Sequence, residues 1–164
     1  MTDASRVLVA IRVRAAAPRA FAAFTEQIAQ WWKPNGLFRF SDGRDGTLTF
    51  EGGPGGRLVE TYADGTEFEV GRIRVWDPPN RLVMSWREAS FEADQETELH
   101  VRFDAVDNPG AEATQTRVTV EHFGWDTIPA EHAARHGFPL PDFHMRYAEW
   151  WQILLARLGD VAET

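Results

Sequence analysis

The stretch from Asp142 to Leu158, DFHMRYAEWWQILLARL, keeps its apolar residues on a helical period for longer than any other part of the chain. At about 100° per residue, Phe143, Tyr147, Trp150, Trp151, Leu154 and Leu158 share one side, while Arg146, Glu149, Gln152 and Arg157 take the other. Pro139 and Pro141 keep the approach extended, Asp142 is placed to cap the first turn, and Gly159 is the residue expected to end the last. Such a helix is about 24 Å long. A face carrying two Trp, a Tyr and a Phe must be covered by something broad and curved. Met145 and Ile153 sit off the stripe.

The rest of the chain supplies the cover. Val7, Val9, Ile11 and Val13 alternate with Leu8, Ala10, Arg12 and Arg14, the period of a half-buried strand. Phe21, Phe24, Ile28, Trp31 and Trp32 then recur at helical spacings after Pro18 and before Pro34-Asn35-Gly36, which predicts one or two short helices. Short strand-like pieces follow at Phe38 to Phe40, Thr47 to Glu51 and Arg57 to Tyr62, divided by Ser41-Asp42-Gly43 and by Gly52-Gly53-Pro54-Gly55-Gly56. From Thr66 to Trp76 the alternation slips phase across Gly71, which predicts a bulge there. Leu82, Met84 and Trp86, then Leu99, Val101 and Phe103, then Val118, Val120 and His122 continue the alternation, with a turn at Asp107-Asn108-Pro109-Gly110 and one short helix over Pro129 to His136. A strand, helices, an unbroken antiparallel series and a final helix make an α+β architecture of about six or seven strands, read as one domain over 1–164 with its core at about 7–158.

Charge and composition exclude several functions. The net charge of −8 disfavours nucleic acid, whose backbone is bound by clustered cations. No apolar run approaches a membrane span, and no cationic start leads into an apolar segment, so no membrane partner is expected and the location expected is cytoplasmic. The absence of Cys removes disulfides, thiolate metal sites and Cys nucleophiles.

The run Gly71-Arg-Ile-Arg-Val-Trp76-Asp-Pro-Pro-Asn-Arg-Leu-Val-Met-Ser-Trp86, followed by Thr116-Arg-Val-Thr-Val-Glu-His122-Phe-Gly-Trp125, resembles the domain family of the activator of heat shock protein 90 ATPase. Phe21-x-x-Phe24-Thr25, Trp31-Trp32 and the Gly55-Gly56-Arg57 turn leading to Glu60 fit the same pattern, which covers Val7 to Leu158. The resemblance implies the SRPBCC, or START and Bet v 1-like, superfamily and its helix-grip fold. That fold serves lipid carriers, cyclases, plant ligand-binding proteins and co-chaperone domains, so it implies no single activity. The additional N-terminal domain of eukaryotic co-chaperones has no counterpart in this chain, and activation of heat shock protein 90 is not expected of it.

Several motifs weigh little. His132-Ala-Ala-Arg-His136 has the i, i+4 spacing of a shared metal site but lacks the Glu of HExxH and lies between Pro and Gly, so no metal is expected. The glycine-rich Gly52 to Gly56 lacks a following Lys-Ser or Lys-Thr and reads as a hairpin turn. The acids Glu88, Glu92, Asp94, Glu96 and Glu98 read as a solvated connection, and Glu60 as an exposed ion pair. His122, in phase with Val118 and Val120, points inward, either hydrogen-bonded in the core or turned to a ligand.

The reading preferred from the sequence is a non-enzymatic helix-grip protein that binds a small, largely apolar molecule between sheet and final helix. Its expected wall is Trp31, Phe38, Phe50, Tyr62, Phe68, Trp86, Phe103, His122, Tyr147, Trp150 and Leu154. No cofactor and no catalytic residue is assigned. A co-chaperone-type interaction domain with a chaperone or other protein partner, and a cyclase- or hydrolase-like enzyme using the same space, remain open, as does monomer or homodimer.

Overall fold

The computed structural model describes residues 5–41, 43–106 and 114–164. The expected turn at Asp107 to Gly110, and Asp42 of the earlier turn, lie outside them. Seven strands follow in chain order: β1 (Arg6–Val13), β2 (Thr47–Phe50), β3 (Arg57–Thr61), β4 (Glu67–Asp77), β5 (Arg81–Trp86), β6 (Thr97–Val106) and β7 (Gln115–Phe123). They form one antiparallel sheet in the order β1-β7-β6-β5-β4-β3-β2. The first and last strands pair along their whole length, from Arg6 opposite Phe123 to Val13 opposite Thr116. Two short helices, α1 (Ala17–Glu26) and α2 (Ile28–Trp31), follow β1, and α3 (Leu140–Ala162) lies in the grip of the sheet. This is the helix-grip arrangement.

Curvature has a local cause. In β4, Val70 is an extra residue between the pairs Leu58 with Gly71 and Val59 with Glu69, and Arg74 is extra between Ile73 with Met84 and Val75 with Val83. Each inserted residue bends the strand and raises its twist. Gly71 permits the first bend because a Cβ there would stand 1.8 Å from the Ser85 carbonyl oxygen. The phase slip across Gly71 thus marks a real bulge.

The final helix outruns the expected 142–158 at both ends. Pro139, not Asp142, holds the N-cap position, and Pro141 fits the first turn, where no amide partner is needed. Gly159 does not stop the helix. A Cβ placed on it would stand 3.5 Å from Val13 Cγ1, and the Arg19 guanidinium donates to Val161 O at 2.8 Å and Ala162 O at 3.2 Å, satisfying carbonyls that a helix end leaves open. Met145 and Ile153 are exposed at 54% and 60%, as their phase predicts.

Two expected elements differ. Phe38 to Phe40 is not a strand: Asn35 Oδ1 accepts from the amides of Leu37 at 2.8 Å and Phe38 at 2.6 Å, which turns the chain instead. The single helix over Pro129 to His136 is replaced by one 3-10 turn, Ala133–Arg135, and another, Trp125–Thr127, precedes it. Among the described residues no helix is long and apolar enough to cross a membrane.

Candidate functional site

Of the eleven expected wall residues, Trp31, Phe38, Tyr62, Trp86, Phe103, His122, Tyr147, Trp150 and Leu154 are buried, and Phe50 and Phe68 half-buried. Most belong to one continuous core, with Phe50 and Phe68 packed against it, but their ring contacts divide. Phe38 meets Tyr147 at 4.8 Å and Trp150 at 5.4 Å between ring centres, and His122 meets Tyr147 at 5.2 Å and Trp86 at 5.6 Å. Trp32 joins this cluster to Trp31 and Trp151, and Leu154 shares the same core. Phe103 packs instead with Phe21 and Phe24 beneath α1, and Phe50 lies 6.3 Å from Phe24. Phe68 sits under Arg87, and Tyr62 lies at the β3 margin under the Arg44 guanidinium. The space between sheet and α3 is thus crossed by rings packed mostly edge to face.

His122 is fully buried, and its tautomer follows from its neighbour. The Thr97 hydroxyl donates to Trp86 O at 2.8 Å, so at 2.7 Å it accepts from His122 Nε2–H. Nδ1 therefore carries the lone pair, and it has no hydrogen-bond partner. Burial, with minor repulsion from His144 and His100, depresses the imidazole pKa to about 3. Behind it, burial and then the charge of Glu88 hold the Tyr147 phenol protonated well above its ordinary range.

An open recess of about 570 Å³ lies where three connecting segments meet. It is lined by Leu37, Arg39 and Phe40 before β2, by Glu88, Ala89 and Ser90 after β5, and by Ala133 and His136 before α3. The segments are tied together: Ala89 N donates to Phe40 O at 2.7 Å, and His136 Nε2 donates to Leu37 O at 2.6 Å. The third segment is organised by Arg135, whose buried guanidinium donates to the carbonyls of Trp125, Ile128 and Phe138. None of the eleven expected residues lines this recess, but they back it. Phe40 meets Trp86 at 5.2 Å, and His136 meets Phe38 at 5.9 Å.

The weaker motifs resolve individually. His132 caps its own turn by accepting from Ala134 N, while His136 serves the recess, and no group of three or more metal-ligating side chains occurs among the described residues. Glu60 is not an exposed ion pair. It is 3% exposed and accepts from the Tyr62 hydroxyl at 2.6 Å and Gly46 N at 3.0 Å. Nor is the acidic connection uniformly solvated: Glu88 is 8% exposed, and Glu96 and Glu98 both meet Arg74. Sequence reasoning missed Glu88 as a site residue because it stands among four other acids, and missed Arg39 because no period governs an irregular segment.

The model of the family described as activator of Hsp90 ATPase homolog 1-like protein matches residues 14–163. The chain belongs to this family. No curated protein matches significantly. Among solved structures, the anthrahydroquino-gamma-pyrone synthase Txn09, solved in complex with SUM, is 30% identical over 95% of this chain and 96% of its own, with a TM-score of 0.54. The Aha1 dimer from Colwellia psychrerythraea is 17% identical over 96% of both chains, with a TM-score of 0.63. The Hsp90 activator PFC0360w from Plasmodium falciparum is 18% identical over 93% of this chain and 91% of its own, with a TM-score of 0.58. These last two likenesses concern the fold of the family alone.

Proposed function

We propose that the protein binds a small, largely apolar, planar molecule at the mouth of the grip. The observation that carries this reading is the recess of about 570 Å³, within the size of common small-molecule sites, with Phe40 at its wall and the aromatic cluster behind it. The ligand stacks on Phe40, itself stacked on Trp32 at 5.2 Å, and its edge is met by the polar groups of Arg39, Glu88 and His136. The expected wall around Phe38, Trp86, Tyr147 and Trp150 acts from behind, by fixing the rings on which the ligand rests.

An enzymatic reading is favoured by one observation. The relative that is 30% identical along nearly its whole length is a synthase of a polycyclic aromatic skeleton. In that reading the same recess holds a reacting aromatic molecule.

An apolar fluorescent probe, 8-anilinonaphthalene-1-sulfonate, tests the proposal on the folded protein. Wild type should bind it, and Ala133→Trp, which fills the recess from an exposed position, should weaken binding by about tenfold or more, ~1.4 kcal/mol, with the denaturation midpoint unchanged. No binding by wild type, or equal binding by the filled variant, refutes the site.

A further inference from the structure

We infer that the groove between α1 and the end of β4 is a second binding site, separate from the recess, and that it takes an alkylated ammonium group. Its volume is about 330 Å³, at the lower end of the small-molecule range. Pro18, Ala22 and Glu26 line it at steps of four, the spacing that puts residues on one side of a helix, and the small Ala22 leaves room between the other two. Trp76, Pro78 and Pro79 line the opposite side. The second bulge of β4 aims Trp76 there. With Arg74 as an extra residue, Trp76 comes opposite the fully buried Leu82 and shares its inner face, where it meets the Phe21 ring at 5.1 Å and 78°. The helix covers only part of so large a ring, and Trp76 is left half-buried at the groove.

The lining selects the charge. Among the described residues its only charged side chain is Glu26, which is exposed and whose carboxylate no hydrogen bond or ion pair engages. Arg19, the cation of α1, is turned away to Gln27 and to the carbonyls of Val161 and Ala162. Hydrogen bonding offers little to a ligand here: three of the lining residues are prolines, which have no amide N–H, and the Thr25 hydroxyl donates to Phe21 O at 2.9 Å. A primary ammonium entering the groove exchanges its water for one carboxylate, whereas an alkylated one presents methyl groups that need no hydrogen bond. Its charge is attracted by the electron-rich face of an indole and by Glu26, while its methyl groups pack on the prolines and on Phe21.

Choline and 3,3-dimethyl-1-butanol share a shape and differ in charge, a nitrogen standing in one where the other has carbon. Both are titrated at constant ionic strength and followed by NMR on the backbone amides of α1. Wild type should bind choline about fivefold or more tighter than the alcohol, equivalent to ~1 kcal/mol. In Trp76→Leu the preference should fall below about twofold, and in Glu26→Gln it should drop by about twofold, the worth of an exposed ion pair. Ala133→Trp, which fills the recess, should leave choline binding unchanged; its loss there places the cation in the recess and overturns the second site. Equal binding of the two probes overturns the cation preference and leaves an apolar groove. Binding of neither probe, or a preference that survives Trp76→Leu, overturns the inference as well. Should Trp76→Leu fail to fold, Ala22→Leu decides by filling the groove from α1: choline should bind it at least about threefold more weakly, and equal binding refutes the site.

Discussion

The depressed pKa of His122 makes stability fall on mild acidification, over a range in which the carboxylates are still charged. The imidazole titrates at about 3 when folded and at about 6.5 when unfolded. Above pH 6.5 both states hold it neutral and it contributes no pH dependence. Between pH 6.5 and 3 the unfolded chain takes up a proton that the folded chain refuses, so stability falls by up to about 1.4 kcal/mol per pH unit. From pH 7.5 to 5.5 this amounts to about 1.4 kcal/mol, and to pH 4.5 about 2.7 kcal/mol. His144, also lowered by burial, adds a smaller loss of the same sign. Glu51, Asp64 and Glu98, whose pKa values are lowered, lose their contributions only at still lower pH, as each is protonated. Urea denaturation of wild type and His122→Gln at pH 7.5, 6.5 and 5.5 reads the effect. The glutamine amide can donate to Thr97 as Nε2–H does, but it does not titrate. The midpoint of wild type should drop by about 0.5 to 1.4 M urea more than that of the variant across this range. Parallel pH profiles for the two proteins would refute the buried, neutral state of His122.

Gly71→Ala should destabilise by about 3 kcal/mol or more, because its Cβ meets the Ser85 carbonyl at 1.8 Å and backbone must move. Gly36→Ala, with nothing within 4 Å, should stay within about 0.5 kcal/mol, and thermal melts compare the pair. Arg135→Met removes the donor to three carbonyls and should cost about 3 kcal/mol, with proteolytic cleavage appearing between Gly124 and Phe138; an uncut, equally stable variant would contradict the organising role. Addition of EDTA should leave the melting temperature unchanged, since a metal bound to the native state would raise it by mass action.

The sequence by itself determined the architecture. Period-two alternation in β1 and β6 and the aromatic stripe of α3 are local signals, each repeated over enough residues to specify which face is buried, whereas β5 and β7 alternate in sequence but are buried on both faces over Leu82 to Trp86 and Val118 to His122. Even the β4 bulge left its trace as a phase slip at Gly71. The ends of α3 were not legible, because Arg19, more than 140 residues away, satisfies its last carbonyls. Glu60 was misread for a similar reason: its buried carboxylate is stabilised by Tyr62 and by the amide of Gly46, and the second of these is a partner no strand period reveals. The recess was decided by tertiary structure alone. Its lining comes from three irregular segments, 37–40, 88–90 and 133–136, brought together by Ala89 N to Phe40 O, by His136 to Leu37 O and by the Arg135 guanidinium. Periodicity reports which face a regular element buries, whereas a site made between loops depends on hydrogen bonds whose partners lie far apart along the chain.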